Sequence, residues 1–591
     1  MQRVSRGQIL RGRRLVSEFV VQSRINLIPQ AANELRVMRL EGTIRCPGTA
    51  DDVGLLVPSG VKNLRLEMDR WSSVRQLTAT LARTRTIQVG PNPIEPTTTG
   101  FSCPSGASAG VTTITVNKNG SEVPAVGTFY FLYDRNKWET HASTAEERLV
   151  GGELVKVKSV TAGATTATVE FENALSQPFA SSSGGIGNVL LSKLPSVGGN
   201  EIGVCENITL KGFRVFGISN SSNYASWMWV LWSSGVTVLD FYGCESVDTG
   251  ISFIRCRNVQ LFNARGENVE NASNVNEYSF QFQRCAGIEV NRAFACNARY
   301  CVVMEAGSSG FKVTYAYGVN ILESVFDIHG GDAYGGEVRF VSAFVGPPGS
   351  FLGSIALGNT AWRRGASNIT VEDCSCQWLN LRTAIRNSTV RRVTCTRVNF
   401  LARENSPVLD KGAAGAYPDS VTMENLTVTY NGGSGTQDST MVSRVYCIAN
   451  VFKNILVKNS TIESVNNFAP AFGCDLTTSP LTPQTPPSDI TFEGCTFKMS
   501  DTTALPAFRL VRDYVNTQKI KVTLKGACVI NIPVTTFVGS TGAIVSTEVE
   551  VVNDTTSGQN VRKPSPDDPN NKNSARNLQA SDFDRLKFTV I

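Results

Sequence analysis

The sequence predicts an all-β solenoid, and three observations carry that expectation. The first is a phrase that recurs between Cys205 and Val338: a small or polar corner followed by an alternating apolar run. It reads CENITLKGFRVFG at 205–217, SSGVTVLDFYGCE at 233–245, CRNVQLFNARGEN at 256–268, CAGIEVNRAFACN at 285–297 and SSGFKVTYAYGVN at 308–320. The second is its return downstream as ASNITVEDCSCQW (366–378), PDSVTMENLTVTY (418–430), FKNILVKNSTIES (452–464) and PSDITFEGCTFKM (487–499). The third is composition: 18% charged residues and 51 glycines in 591 residues suit a globular β chain and not a disordered one. Alternation with period two gives a strand with one buried face. No copy buries that face alone, whereas copies spaced roughly 20 to 30 residues apart stack into one core.

Taken in order, residues 1–38 form a basic arm. Arg3, Arg6, Arg11, Arg13, Arg14 and Arg24 are there, and Glu18 is the only acid before Glu34. The arm is either a loosely held terminus or a docking segment for a larger assembly. Phe19 alone supplies an aromatic ring, which disfavours nucleic-acid binding. The first coils fall at 39–90, where RLEGTIRCPG and VGLLVPSGVKNLRLEMD again pair strands with a corner. Residues 91–200 break the pattern. Turn clusters separate short alternating strands and predict a small antiparallel β insertion. The main series occupies 201–545, with an irregular stretch at 341–365. Residues 546–591 read as a linker that ends in a terminal strand, DFDRLKFTVI.

The net charge of +6 is small for this length and argues against a general polyanion-binding surface. The fifteen cysteines include no metal-type CxxC pair, and Cys374-Ser375-Cys376 is too tight for zinc. Cys244, Cys256, Cys285, Cys374 and Cys495 lie in corners or strands and read as small buried hydrophobes. No metal or other cofactor is expected. The N-terminal residues lack the apolar stretch of a secretion signal. No run approaches the ~20 apolar residues of a membrane helix. The expectation is therefore synthesis in a reducing cytoplasm, with no membrane insertion. Asn-x-Ser/Thr matches at Asn207, Asn368, Asn425 and Asn459 sit where strands begin and fit corner chemistry, not glycosylation.

Aligning the corners places side chains. Met228, Val230, Ile251, Phe253, Phe280, Phe282, Val302, Met304, Phe326 and Ile328 form an inward ladder. One outward column is then Trp229, Ser252, Gln281, Val303 and Asp327; its neighbour is Leu231, Ile254, Gln283, Glu305 and His329. Glu305 and Asp327 fall one coil and one strand step apart, suiting the two carboxyls of glycoside cleavage, with His329 to orient one of them. Only two histidines occur, His141 and His329. Glu277, Glu323 and Asp332 flank the group, and the competing reading is a solvated face. Trp227 and Trp229, on one face of SWMWVLW, offer flat rings for sugars, with Gln281 and Gln283 beside them. Packing between subunits is the alternative for these tryptophans and for Trp232. The adjacent acids Asp51-Asp52 and Glu372-Asp373 make poor catalytic pairs.

The Asn-Ile-Thr-Val strand after a small-residue corner resembles the right-handed parallel β-helix of pectate-lyase-like proteins. The order of segments is closer to phage tailspikes and β-helical tail fibres. EGTIRCPGTADDVGLLVPSGVKNLRL is similar to the first coils of such proteins, and GGELVKVKSVTAGATTATVEFENALSQPF to the insertion some of them carry. The resemblance covers roughly 39–540. It implies a homotrimer whose N-terminal arm, residues 1–38, binds phage tail or baseplate adaptor proteins. It further implies a partner in bacterial surface polysaccharide, recognised during adsorption, and a place in the virion tail after assembly in the host cytoplasm. Depolymerase activity, as a hydrolase or lyase, is an open part of that expectation. The alternatives are a non-catalytic structural or adhesive fibre and a free polysaccharide hydrolase or lyase. His-Gly-Gly-Asp at 329–332 has no matching Asp-Asp on neighbouring coils, and calcium-binding aspartates are not recognisable. Neither polygalacturonase nor pectate-lyase chemistry carries over.

Overall fold

The structure is a computed structural model. It describes residues 53–76, 83–92, 95–134, 151–179, 189–218, 224–269, 278–329, 333–344, 353–358, 366–382, 385–402, 418–430, 452–465 and 488–499, with shorter strand segments between 14 and 46, 138 and 149, and 441 and 590. Every regular element among them is a strand. Each coil contributes three strands, and successive coils pair in parallel, so the chain winds into a parallel β-helix with three walls. On the first wall Ile208 stands opposite Val236, then Val259, Ile288 and Phe311. On the second, Val215 is followed by Gly243, Gly266, Ala295 and Gly318. On the third, Met228 is followed by Ile251, Phe280, Val302 and Phe326.

The corners explain the recurrent asparagines. Asn207, Asn368, Asn425 and Asn459 all have φ between 46° and 58°, where most side chains clash with their own backbone and Asn is tolerated. One such residue turns the chain from wall to wall. The amides also bond along the axis: Asn297 donates to Asn268 at 2.9 Å and Asn320 donates to Asn297 at 3.0 Å. The expected inward ladder is buried throughout in one continuous core. Phe253 and Phe282 stack there with centroids 4.9 Å apart. The described cysteines are free. Burial pushes the thiols of Cys46, Cys205 and Cys495 up to about 12, so they act as small apolar groups.

The stack is longer than the sequence suggested. Residues 14–15, 19–20 and 25–26 pair with 39–40, 44–45 and 55–56, inside the segment read as an arm. Residues 1–13 lie outside the described residues. At the other end Glu548–Thr555, expected as linker, pairs with Lys519–Gly526, and Leu586–Val590 caps it in turn. The pairing was invisible because the N-terminal strands are two residues long and the C-terminal ones are flanked by Asn- and Pro-rich sequence.

The antiparallel insertion is present as a six-stranded sheet in the order 100–102, 189–192, 129–134, 153–162, 166–171 and 113–117. One face closes over its own core of Phe101, Tyr130, Val155 and Phe171. The other, through Phe129, Phe131, Tyr133 and Leu154, packs on Trp229, Leu231, Trp232 and Ile254 of the third wall. A buried ion pair fastens it there. The Arg257 guanidinium meets the Glu153 carboxylate, with side-chain exposures of 4% and 0%. Arg257 Nη2 also donates to the Ala174 carbonyl at 2.6 Å, and the Ser176 amide donates to Glu153 at 3.0 Å.

Candidate functional site

The third wall brings the sequence-selected residues into the expected register. Trp229 stands opposite Ser252, Ser252 opposite Gln281, Gln281 opposite Val303 and Val303 opposite Asp327. In the next column Leu231, Ile254, Gln283, Glu305 and His329 follow one another. Both columns point away from the helix core. Even so, they are not a solvated face. Trp229, Leu231 and Ile254 lie beneath the insertion. Val303, Glu305 and Asp327 are 0%, 4% and 0% exposed. Alternation tells which residues leave the core, but not what covers them afterwards.

Polar side chains link along the axis. Ser252 Oγ donates to Gln281 Oε1, and Gln281 Nε2 donates to Glu305 Oε2. Neither oxygen of Asp327 accepts a hydrogen bond. His329 Nδ1 lies 3.6 Å from Oδ1, two residues on along the strand. Glu305 and Asp327 sit on a diagonal, one coil and one two-residue step apart, which places their Cβ atoms about 8 Å from each other.

Aromatic residues frame this group, and the sequence reading missed them. The rings of Tyr278 and Tyr300 each stand edge-on to His329 at 5.6 Å. Tyr300 donates its hydroxyl to Glu323, which also takes Arg299 at 2.6 Å. Burial, and then the charges of Asp327 and Glu323, push the Tyr300 hydroxyl well above its ordinary value and hold it neutral as a donor. The signal available was the third-wall position of both tyrosines, in register with each other. Further along the column from Asp327 come Ala356, Asn380 and Asn399. Asn399 donates to Asn380 at 2.7 Å, and both are buried.

The two tryptophans do not share a face. Trp227 turns into the main core, fully buried, with Nε1 donating to the Glu245 carbonyl at 2.9 Å. Small residues make room for it: a Cβ at Gly243 or Gly250 would come within 2.4 or 2.5 Å of its ring. Trp229 is 6% exposed and carries the Arg85 guanidinium 3.9 Å above its ring. Trp232 is likewise buried, so the tryptophan run supplies neither an open sugar platform nor an exposed subunit contact. Gln281 is engaged with Ser252 and Glu305, and Gln283 is half-buried. Glu372 and Asp373 are held by Arg391 and Arg392. Asp51, Asp52, His141, Glu277 and Asp332 lie outside the described residues. Among the described residues no three His, Cys, Asp or Glu side chains form a metal-binding group.

Fold and site together define a parallel β-helix protein with a buried acidic group on its third wall. No family model matches the sequence, and no curated protein matches it. Among solved structures the chain is similar to the Pseudomonas phage phi297 tailspike gp61, with TM-score 0.45 and 15% identity over 83% of this chain and 71% of that one. It is similar to the tailspike protein gp49 from Pseudomonas phage LKA1, with TM-score 0.41 and 12% identity over 87% and 72%. It is also similar to a mutant tailspike protein of E. coli bacteriophage HK620 in complex with a hexasaccharide, with TM-score 0.31 and 10% identity over 88% and 69%.

Proposed function

We propose that this chain is a phage tailspike or tail fibre that recognises host cell-surface polysaccharide and cleaves it at the third wall. The observation that carries the reading is Asp327: a carboxyl with 0% exposure and no hydrogen bond, one coil from Glu305 and beside His329. A buried carboxyl without donors is costly, and such arrangements concentrate at functional sites. The diagonal spacing of Glu305 and Asp327, about 8 Å at Cβ, lets their carboxyls reach the roughly 6.5–9.5 Å separation used by inverting glycosidases. In that role one carboxyl protonates the leaving oxygen and the other activates water. His329, whose side chain is 15% exposed, orients Asp327 from the solvent side. The reading further places the protein in the virion tail as a homotrimer, made in the host cytoplasm and attached to tail or adaptor proteins by its first residues.

Burial of Glu305 and Asp327 favours a second reading, an adhesive fibre that binds without turnover. Release of reducing or unsaturated ends from host polysaccharide separates the two: binding with no new ends selects the fibre. Sedimentation at micromolar concentration tests the trimer, and a stable monomer contradicts it. Because residues 14–15, 19–20 and 25–26 pair with the first coils, the attachment role is tested by deleting 1–13. The truncated chain is expected to fold and to be missing from assembled virions; normal incorporation rejects the role.

A further inference from the structure

At the edge between the first and second walls each coil turns on one residue. Asp240, Asn263, Asp373, Asn425 and Asn459 occupy such positions with φ between 46° and 57°. Tyr315 and Phe340 occupy the same column with φ of 58° and 53°. A bulky side chain is disfavoured in this left-handed conformation, whereas Asn and Asp are tolerated. At the edge between the third and first walls, Trp232, Arg255 and Arg284 are also left-handed, but all three are buried and packing offsets the strain. Tyr315 and Phe340 are 50% and 40% exposed, so burial offsets little of theirs. Strain held in the open calls for another reason.

The surroundings suggest what that reason is. Tyr315 and Phe340 stack with centroids 5.0 Å apart and planes 11° from parallel. Beside them Tyr317, 39% exposed, stacks on Phe294 of the preceding coil. Beyond Tyr317 the same column falls to Ser342 and then Ser375. The far face of the Tyr317 ring therefore borders a step floored by two hydroxyl-bearing residues. The coil spacing of about 4.8 Å is on the scale of one sugar ring. Arg292 precedes Tyr315 in the edge column; it is exposed and makes no ion pair with a described residue. Arg339, by contrast, reaches Glu372 and Asp373 at 3.5 and 3.6 Å. Lys312 stands in register between Glu289 and Glu337. Aromatic rings, hydroxyls and the exposed cation of Arg292 thus lie along one side of the stack.

We propose that this edge is a second carbohydrate site, holding an acidic sugar chain that runs along the helix axis. The exposed rings take the apolar faces of the sugars, and Arg292 takes a carboxylate. The proposal rests on the polysaccharide reading above and is separable from it. The test is retention of immobilised acidic and neutral bacterial polysaccharides by the wild type, Arg292→Gln and the double variant Tyr315→Asn/Phe340→Asn. The wild type is expected to prefer acidic chains. Arg292→Gln and the double variant should each weaken that binding at least about tenfold, the scale of one ring contact or charge-assisted bond. Asn suits the left-handed corner, so the double variant should melt no lower than the wild type, which separates lost binding from lost folding. Wild-type-like binding by the edge variants overturns the second site and leaves the third-wall reading standing. A wild type that prefers neutral chains also overturns it, and one that retains none removes the polysaccharide reading itself. A change in sedimentation with binding intact would make the edge a subunit contact, which likewise overturns the proposal.

Discussion

His329 Nδ1 stands 3.6 Å from Oδ1 of Asp327, a carboxyl buried without a hydrogen bond. Such a group should oppose stability while serving function. Asp327→Asn is therefore expected to melt at or above the wild-type temperature while lowering turnover at least ~10²-fold, the scale of acid–base catalysis. Glu305→Gln should lower turnover similarly. Calorimetry and end-group release on the same preparations check both. Full activity in both variants would place the chemistry elsewhere.

Trp227 fills a space left by Gly243 and Gly250 on the next coil. Trp227→Ala should cost about 3–5 kcal/mol in chemical denaturation, as large-to-small core changes do. Gly243→Ala would set a methyl against the indole and should cost about 1–3 kcal/mol by overpacking. Combining Gly243→Ala with Trp227→Leu should cost less than the sum of the two single changes, because the clash goes with the ring.

These residues mark how far the sequence could be read. Period-two alternation with polar corners was enough to reach the parallel stack, the inward ladder and the register that brings Glu305, Asp327 and His329 together. It failed at Trp227, which turned inward because Gly243 and Gly250 on the next coil left room. It failed again for the cover of the third wall. That cover depends on contacts between Trp229 or Ile254 and an insertion some hundred residues away in the chain, and neither strand's pattern records its partner. The tyrosines at 278 and 300 escaped notice because an aromatic residue in a strand has the same pattern whether it packs or frames a site.

The insertion is pinned by Arg257 and Glu153, both buried. Removing one partner leaves the other charge uncompensated, so Arg257→Ala should cost about 3–5 kcal/mol. Joint replacement by Met and Leu should recover much of that. Proteolysis of the insertion, rather than of the coils, should report the loss first.

Acid should loosen the ion pairs that Glu95 and Glu206 make elsewhere on the insertion's contact with the coils. The Glu95 carboxyl is pushed up by burial, but the charges of Arg255 and Arg284 outweigh this and hold it below its ordinary value. Glu206 is likewise lowered, as Lys62 and Lys156 overcome its burial. Both acids bind protons less readily folded than unfolded. Their contribution is complete above the ordinary carboxylate value of about 4.3 and is lost as pH falls through the depressed folded values. Hydrogen exchange in 153–160 should therefore accelerate below that pH before it does in the coils at 286–298. Uniform acceleration would show that these acids do not govern docking.

The most direct measurement of the central claim is end-group release from host surface polysaccharide by wild-type protein and by Asp327→Asn. The expected result is that the wild type generates new reducing or unsaturated ends, and that the variant still binds the polysaccharide with turnover reduced at least ~10²-fold. Equal release by the two proteins, or none by the wild type, would contradict a catalytic third wall.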